Sequence, residues 1–314
     1  MNQALQVCLI IPTKNRPRDL ELAVRSICVQ TVVPLSLVIV DQSLDDESRR
    51  RVEAELAEAE RRRGVRWKLK YVHDPSISGG AMARNRAMAI ADGDVWVFLD
   101  DDVILEPDYL EQLVAVYRDC PGAAGVSGII TNQRRPPARY RLWSALFVHG
   151  PFRDERQPIY WNADRLHNSP PLAVDRFTGA AMSFRAGVVR GKVFDENLRG
   201  VSEAEDVDFC ARLGPTAVLL IAPRARLEHR HSPAGRLRDH WLRRSVRGDF
   251  FLYRKNWNKG FFNFLCYLWL WVGYCLVALL AGLLRASLDP WRALRTGIEE
   301  AAQAAPRPRG GGAT

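Results

Sequence analysis

Val95-Trp96-Val97-Phe98-Leu99-Asp100-Asp101-Asp102 is an apolar run that stops on three carboxylates. Four of its first five side chains are bulky and strand-favouring, and no polar residue alternates with them, so the run reads as a strand buried on both faces of a sheet. Three adjacent acids repel one another at its end. A hard divalent cation relieves that repulsion, and in open α/β sheets the C-terminal ends of parallel strands are where ligands bind. A solvated acidic turn is the alternative from these residues alone.

Working outward, Val7 to Ile11 is a short buried strand stopped by Pro12, and a polar loop from Thr13 to Arg16 leads into a helical pattern carried by Leu20, Val24 and Ile27. Leu35 to Val40 repeats the buried-strand pattern and ends at Asp41. Asp45 to Arg63 is a strongly charged helix, and Trp67 to Val72 a third strand. Gly79-Gly80 opens another helix through Ile90, and Pro107 precedes one that ends before Pro121-Gly122. Ala123 to Ile130 is a further strand. Strand and helix alternate, which is the signature of a parallel sheet with right-handed crossovers.

From Thr131 to Asp175 the pattern breaks down around prolines and aromatics, and the segment reads as a variable insertion. Phe177 to Phe184 returns to strand composition. Glu205 to Leu213 reads as a short helix with acids in its first turn, which suit the helix dipole but by themselves demand no function. Ala217 to Ile221 is the last expected strand, with His229 and His231 beyond it.

The composition bounds the rest. Six scattered cysteines show no metal-ligand spacing and fit reduced thiols, hence a cytoplasmic catalytic region; the short Val7 to Ile11 run without a basic lead does not read as a signal peptide. Of the net charge of +9, an excess of +8 lies between Arg224 and Lys259, with eleven basic residues against three acids. Phe261 to Leu284 follows, twenty-four residues without a charge and long enough to cross a bilayer. A basic patch beside such a run points to anionic lipid rather than nucleic acid. The expectation is a single-pass or embedded helix at the cytoplasmic face of the cell membrane.

Five motifs in order, Ile10-Ile11-Pro12-Thr13-Lys14-Asn15-Arg16, Val40-Asp41, Gly80-Ala81-Met82-Ala83-Arg84-Asn85, Asp100-Asp101-Asp102 and Glu205-Asp206-Val207-Asp208, resemble those of the family 2 glycosyltransferases. The resemblance covers about Val7 to His231. It implies a GT-A fold, a mixed but mostly parallel α/β sheet flanked by helices with a Rossmann-like nucleotide-binding half. The C-terminal membrane-associated helix would follow it.

Carried over position by position, the resemblance makes Pro12, Thr13, Asn15 and Arg16 the border of the nucleobase and ribose, with Asp41 accepting from the base. Gly80, Arg84 and Asn85 would face the donor, Arg84 its diphosphate or ribose. Asp100 would touch the ribose, Asp102 would bind Mn²⁺ or Mg²⁺ with Asp100 beside it, and Asp101 would lie close by. His229, or else His231, would add a metal ligand. Asp206 would be the catalytic base and Glu205 its orienting partner or an acceptor contact, while Thr178-Gly179 would line the acceptor cleft. Such residues suit transfer from a nucleoside diphosphate, whose departure builds negative charge while a base deprotonates the acceptor.

The implied donor is a UDP-sugar or another pyrimidine-linked sugar, although Gln42 and Ser43 depart from the acid or glycine that commonly follows Asp41. The implied acceptor is lipid-linked or a surface polysaccharide, with no nucleic acid partner. A Gln-x-x-Arg-Trp motif is missing, which favours a single, inverting transfer over polymer synthesis. On this reading residues 1–131 form the donor half, 132–235 the acceptor half with its insertion, 236–260 a basic membrane-proximal helix, 261–285 the apolar helix and 286–314 a basic tail disordered at its end. The competing class is a membrane-anchored, non-catalytic nucleotide-binding scaffold on the same fold.

Overall fold

The computed structural model describes residues 5–197, 204–232, 241–257 and 260–304. In chain order the elements are β1 (Val7–Thr13), α1 (Pro17–Cys28), β2 (Ser36–Asp41), α2 (Glu47–Arg63), β3 (Leu69–His73), α3 (Gly80–Met88), β4 (Val95–Leu99), β5 (Val103–Leu105), α4 (Tyr109–Asp119) and β6 (Ala123–Ile130). There follow α5 (Ala138–Phe147), α6 (Arg156–Trp161), α7 (Ala163–Leu166), β7 (Leu172–Val174), β8 (Ala181–Arg185), α8 (Ala186–Val189), α9 (Glu205–Ala211), β9 (Val218–His229), α10 (Trp241–Leu252), α11 (Phe261–Arg285) and α12 (Asp289–Ala304).

The chain divides into two units, residues 1–134 with 155–236, and residues 135–154 with 237–314. The first unit is built on one sheet of order β3-β2-β1-β4-β8-β6-β9-β5, with β7 joined to β9. The pairs β1–β2, β2–β3 and β1–β4 are parallel, whereas β8 enters antiparallel between β4 and β6. The mixed, mostly parallel sheet flanked by helices is the GT-A type of fold. β1, β2 and β4 are buried along almost their whole length because their runs are apolar on both faces. Their parallel register, with Thr13 opposite Asp41, carries the polar ends of all three to the same edge of the sheet.

Two strands escape sequence patterning. β5 is only three residues long, too short for any periodicity. β9 runs twelve residues to His229, well past the expected end at Ile221, because Pro223 falls where its pairing with β6 skips from Ala222 to Arg226. A bulge there removes the need for the proline's missing N–H, so the strand resumes beyond it. That extension pairs His229 with Val103 and so delivers the histidine to the acid triplet.

β6 is packed against its neighbours without clearance. A Cβ on Gly125 would lie 2.7 Å from the Ser183 carbonyl oxygen and 2.7 Å from the Phe177 ring. Backbone cannot yield as a side-chain tip can, so Gly125→Ala should destabilise the first unit by about 2–3 kcal/mol. The check is the denaturant midpoint; an unchanged midpoint would contradict the packing.

Residues 131–175 carry the regular elements α5, α6, α7 and β7 where the sequence shows no pattern. Residues 135–154 belong to the second unit, where Trp143 of α5 packs with Phe147 and Tyr274. Phe152, Leu242, Val246, Cys266, Leu270, Tyr274, Ala278 and Leu294 form a core of this unit's own. The segment expected as a tail contains α12, while 236–240 and the terminal 305–314 lie outside the described residues.

Candidate active site

The ends of β1 and β2 are tied together by the loop side chains. Asn15 takes a left-handed φ of 54° and donates its N–H to Ser43 Oγ at 2.7 Å. Gln42 Oε1 accepts from the Gly79 N–H at 2.9 Å, which seats the start of α3. The two residues that depart from the family pattern after Asp41 therefore each fasten a loop. Asp41 itself is buried and accepts from the Tyr71 hydroxyl at 2.6 Å and the Ser43 N–H at 2.9 Å. Burial, with Asp41 alongside, pushes the Tyr71 hydroxyl up, so it stays a donor.

The three acids after β4 diverge. Asp101 turns back toward the loop, accepting from Thr13 Oγ1 at 2.7 Å and from Arg16 Nη1 at 3.0 Å. Burial pushes its carboxyl up to about 6 against the pull of Arg16 and Thr13. Asp102 points the other way. Its Oδ2 accepts from the Ser232 N–H at 2.8 Å, and its Oδ1 lies 3.0 Å from His229 Nε2. Burial pushes its carboxyl up, but His229, the Ser232 N–H and Arg16 outweigh that and hold it at about 2.

Asp100, Asp102 and His229 form the one cluster with the makings of a metal site among the described residues, with a ligand atom from each within 4.8 Å of the others. His229 is aimed by its backbone, whose N–H and C=O exchange hydrogen bonds with Asn132 at 3.0 Å each. Its buried Nε2 is close to Asp102 without the alignment of a hydrogen bond. That is the relation expected of two ligands of one ion, and two carboxylates with an imidazole suit Mn²⁺ or Mg²⁺ completed by phosphate and water. His231, at φ 52°, packs its ring at a tilt against His229, with centroids 3.9 Å apart.

Arg84 joins this cluster to α9. It is buried, donating from Nη1 to Glu205 Oε1 at 2.8 Å and from Nη2 to Asp100 Oδ1 at 3.1 Å, with its guanidinium 5.7 Å from the Phe194 ring centroid. Its neighbour Asn85 faces away, exchanging hydrogen bonds with the Phe194 backbone, and Gly80 simply begins α3. Glu205 is buried as well; burial pushes its carboxyl up, Arg84 pulls it down and Asp206 pushes it up again, with an upward net. Asp206 is part-exposed, its Oδ2 accepting from the Gly179 N–H at 2.7 Å and lying 4.0 Å from Arg156. Pro12 lies within β1 directly ahead of this loop.

Removing Arg84 leaves Glu205 buried without its counter-charge. Arg84→Ala should lower stability by about 3–5 kcal/mol. In the variant the folded Glu205 binds its proton more tightly than the unfolded chain does, so stability falls further as pH rises above about 4.3, the ordinary Glu value. Adding Glu205→Gln should restore part of the loss and flatten that pH slope in denaturation curves; additive losses would contradict the pairing.

No sequence pattern marks Arg156, Asn132 or Ser232, each brought in from more than twenty residues away from the motif residue it serves. Thr178-Gly179 was legible only through resemblance, and Gly179 does contact Asp206.

The profile described as "Glycosyl transferase family 2" matches residues 8–189, more than half of the chain. The chain belongs to this family. A glucosyl-dolichyl phosphate glucuronosyltransferase of Haloferax volcanii is 28% identical over 128 residues, 40% of this chain and 38% of that protein. A pre-mycofactocin glycosyltransferase of Mycobacterium tuberculosis is 29% identical over 187 residues, 58% of this chain and 36% of that protein. The chain thus spans little more than a third of the length of these curated relatives.

Among solved structures, a mannosyltransferase from Pyrobaculum calidifontis in complex with GDP-Man and Mn²⁺ aligns with a TM-score of 0.58 at 18% identity, covering 96% of this chain and 86% of that one. S. aureus TarS 1-349 in complex with UDP-GlcNAc gives 0.58 at 15% identity, with 96% and 82% covered. At such identities the likeness establishes the GT-A fold of this family 2 chain and no more.

Proposed function

We propose that this chain is a metal-dependent, inverting glycosyltransferase. It moves one sugar from a nucleoside diphosphate donor to a lipid-linked or cell-surface polysaccharide acceptor at the cytoplasmic face of a membrane. The observation that carries the reading is the Asp100–Asp102–His229 cluster joined through Arg84 to the Glu205–Asp206 pair. Donor-binding groups and a general base then meet at one edge of the sheet. The structures of similar fold hold a purine donor in one case and a pyrimidine donor in the other, which sets the two nucleotide classes to compare.

In this proposal Asp100, Asp102 and His229 would hold Mn²⁺ or Mg²⁺, which supplies positive charge for the departing diphosphate. Asp206 accepts the proton of the acceptor hydroxyl as that oxygen bonds to the anomeric carbon, and the bond to the diphosphate oxygen breaks on the opposite side with inversion. The Gly179 and Val207 N–H groups fix both oxygens of Asp206. Arg84 holds Glu205 and Asp100 in register as a positioning residue. Thr13, Arg16 and Asp101 shape the donor loop.

The test is a thermal-shift panel of nucleoside diphosphates and nucleotide sugars, uridine and guanosine forms included, each with and without Mn²⁺. Stabilisation that needs both one nucleotide and the metal supports the reading through binding linkage. No shift with any combination would sink the donor and metal assignments, whereas metal-dependent binding with neither sugar transfer nor donor hydrolysis would favour the non-catalytic nucleotide-binding scaffold.

A further inference from the structure

α11 is long enough to cross a bilayer, at about 1.5 Å per residue. Its packing points elsewhere. Cys266, Leu270, Tyr274 and Ala278 recur at every fourth position and are buried in the core of the second unit. Near the middle of the helix, Trp143 Nε1 of α5 donates to the Gly273 carbonyl at 3.1 Å, and the Tyr274 hydroxyl donates to the Asp249 carboxylate of α10. α10 also carries Arg243 and Arg247, which pair with Glu300 of α12. A spanning α11 would centre Gly273 in the hydrocarbon and draw this charged framework in with it, where ionised groups are expelled.

The opposite face is bare. Leu265, Leu268, Val272, Leu276, Leu279 and Leu283 are exposed at spacings of three and four along the whole helix, and Leu142 and Leu146 of α5 are exposed as well. Arg254 and Lys255 precede the helix, Arg292 and Arg295 follow it, and Trp269 and Trp291 are part of the exposed apolar surface. A long apolar stripe with basic ends and tryptophans fits the boundary between anionic headgroups and acyl chains.

We infer that α11 lies in the plane of the membrane, its bare face sunk into one leaflet, and does not span it. This deepens the proposed membrane association. Both ends of the helix then stay on the same side of the membrane. The fold needs no unpacking to bind, and the lipid-facing residues are separate from the buried stripe that holds the second unit together.

The full chain is expressed with F261C or L288C, both at exposed positions, and tested in membrane vesicles whose cytoplasmic face is outward. A membrane-impermeant maleimide polymer should add one label beyond the native thiols to each variant on intact vesicles. One end labelled only after detergent means the helix spans, which overturns the in-plane placement and leaves a membrane-bound transferase standing. In parallel, L268R/L276R should lose at least tenfold in flotation with phosphatidylcholine–phosphatidylglycerol vesicles while keeping its melting temperature. Undiminished flotation, or wild type that stays off vesicles as a dimer, overturns the inference. Nucleotide- and Mn²⁺-dependent stabilisation is read separately, so failure here is distinguishable from failure of the transferase reading.

Discussion

Asp102→Ala is expected to abolish the Mn²⁺-dependent stabilisation by nucleotide and to lower kcat/KM by at least about 10³-fold, the scale of several kcal/mol of lost charge stabilisation. Asp102 is the most buried member of the cluster and is held ionised, at about 2, by His229 and the Ser232 N–H against its own burial. It therefore presents a carboxylate to a cation. Asp100, more exposed and already engaged by Arg84, should be the weaker contributor, so Asp100→Ala should lose less of the metal dependence. A loss of stability confounds the alanine variant, because the Ser232 N–H also loses its acceptor. Asp102→Asn keeps the shape and removes the charge. If Asp102→Asn binds nucleotide with undiminished metal dependence, the cluster is not the metal site.

The split among the three acids illustrates what a sequence can and cannot show. That a buried strand ends in carboxylates was legible, because Val95 to Leu99 has no alternation and the acids follow directly. Which acid faces the site was not. Successive residues after a strand point in different directions, and here Asp101 is claimed by Thr13 and Arg16, more than eighty residues earlier. Arg84 was legible as a candidate, but its placement between Asp100 and Glu205 depends on a partner 121 residues away. Arg84 bridges Asp100 and Glu205, a partnership that residue types alone do not reveal.

The same reasoning covers the fold. β1, β2 and β4 announce themselves through uninterrupted apolar runs, whereas β5 and the far half of β9 exist because they pair with each other. The strand expected to end at Ile221 continues past Pro223, which falls in a bulge of the pairing with β6. α5 was hidden because its aromatic stripe packs on helices more than a hundred residues later, which left its periodicity mixed with exposed Leu142 and Leu146.

Asp206→Asn separates binding from chemistry. Asparagine keeps nearly the same volume and one oxygen for the Gly179 N–H, giving up only the bond from the Val207 N–H, so the donor groups after β4 should be undisturbed. Metal-dependent stabilisation by nucleotide should match wild type. Turnover should fall by about 10²–10⁴-fold, the range supplied by a positioned general base, and the loss should sit in kcat rather than in donor KM. Glu205→Gln is the internal comparison. Glu205 is buried against Arg84, so its replacement should act through the position of Arg84 and Asp206, with a smaller loss of turnover and a change in stability that Asp206→Asn does not share. Equal loss of nucleotide binding in Asp206→Asn and Asp102→Ala would remove the base assignment. Both acids would then belong to one donor-binding site, and the group that deprotonates the acceptor would have to be sought elsewhere on the same edge of the sheet.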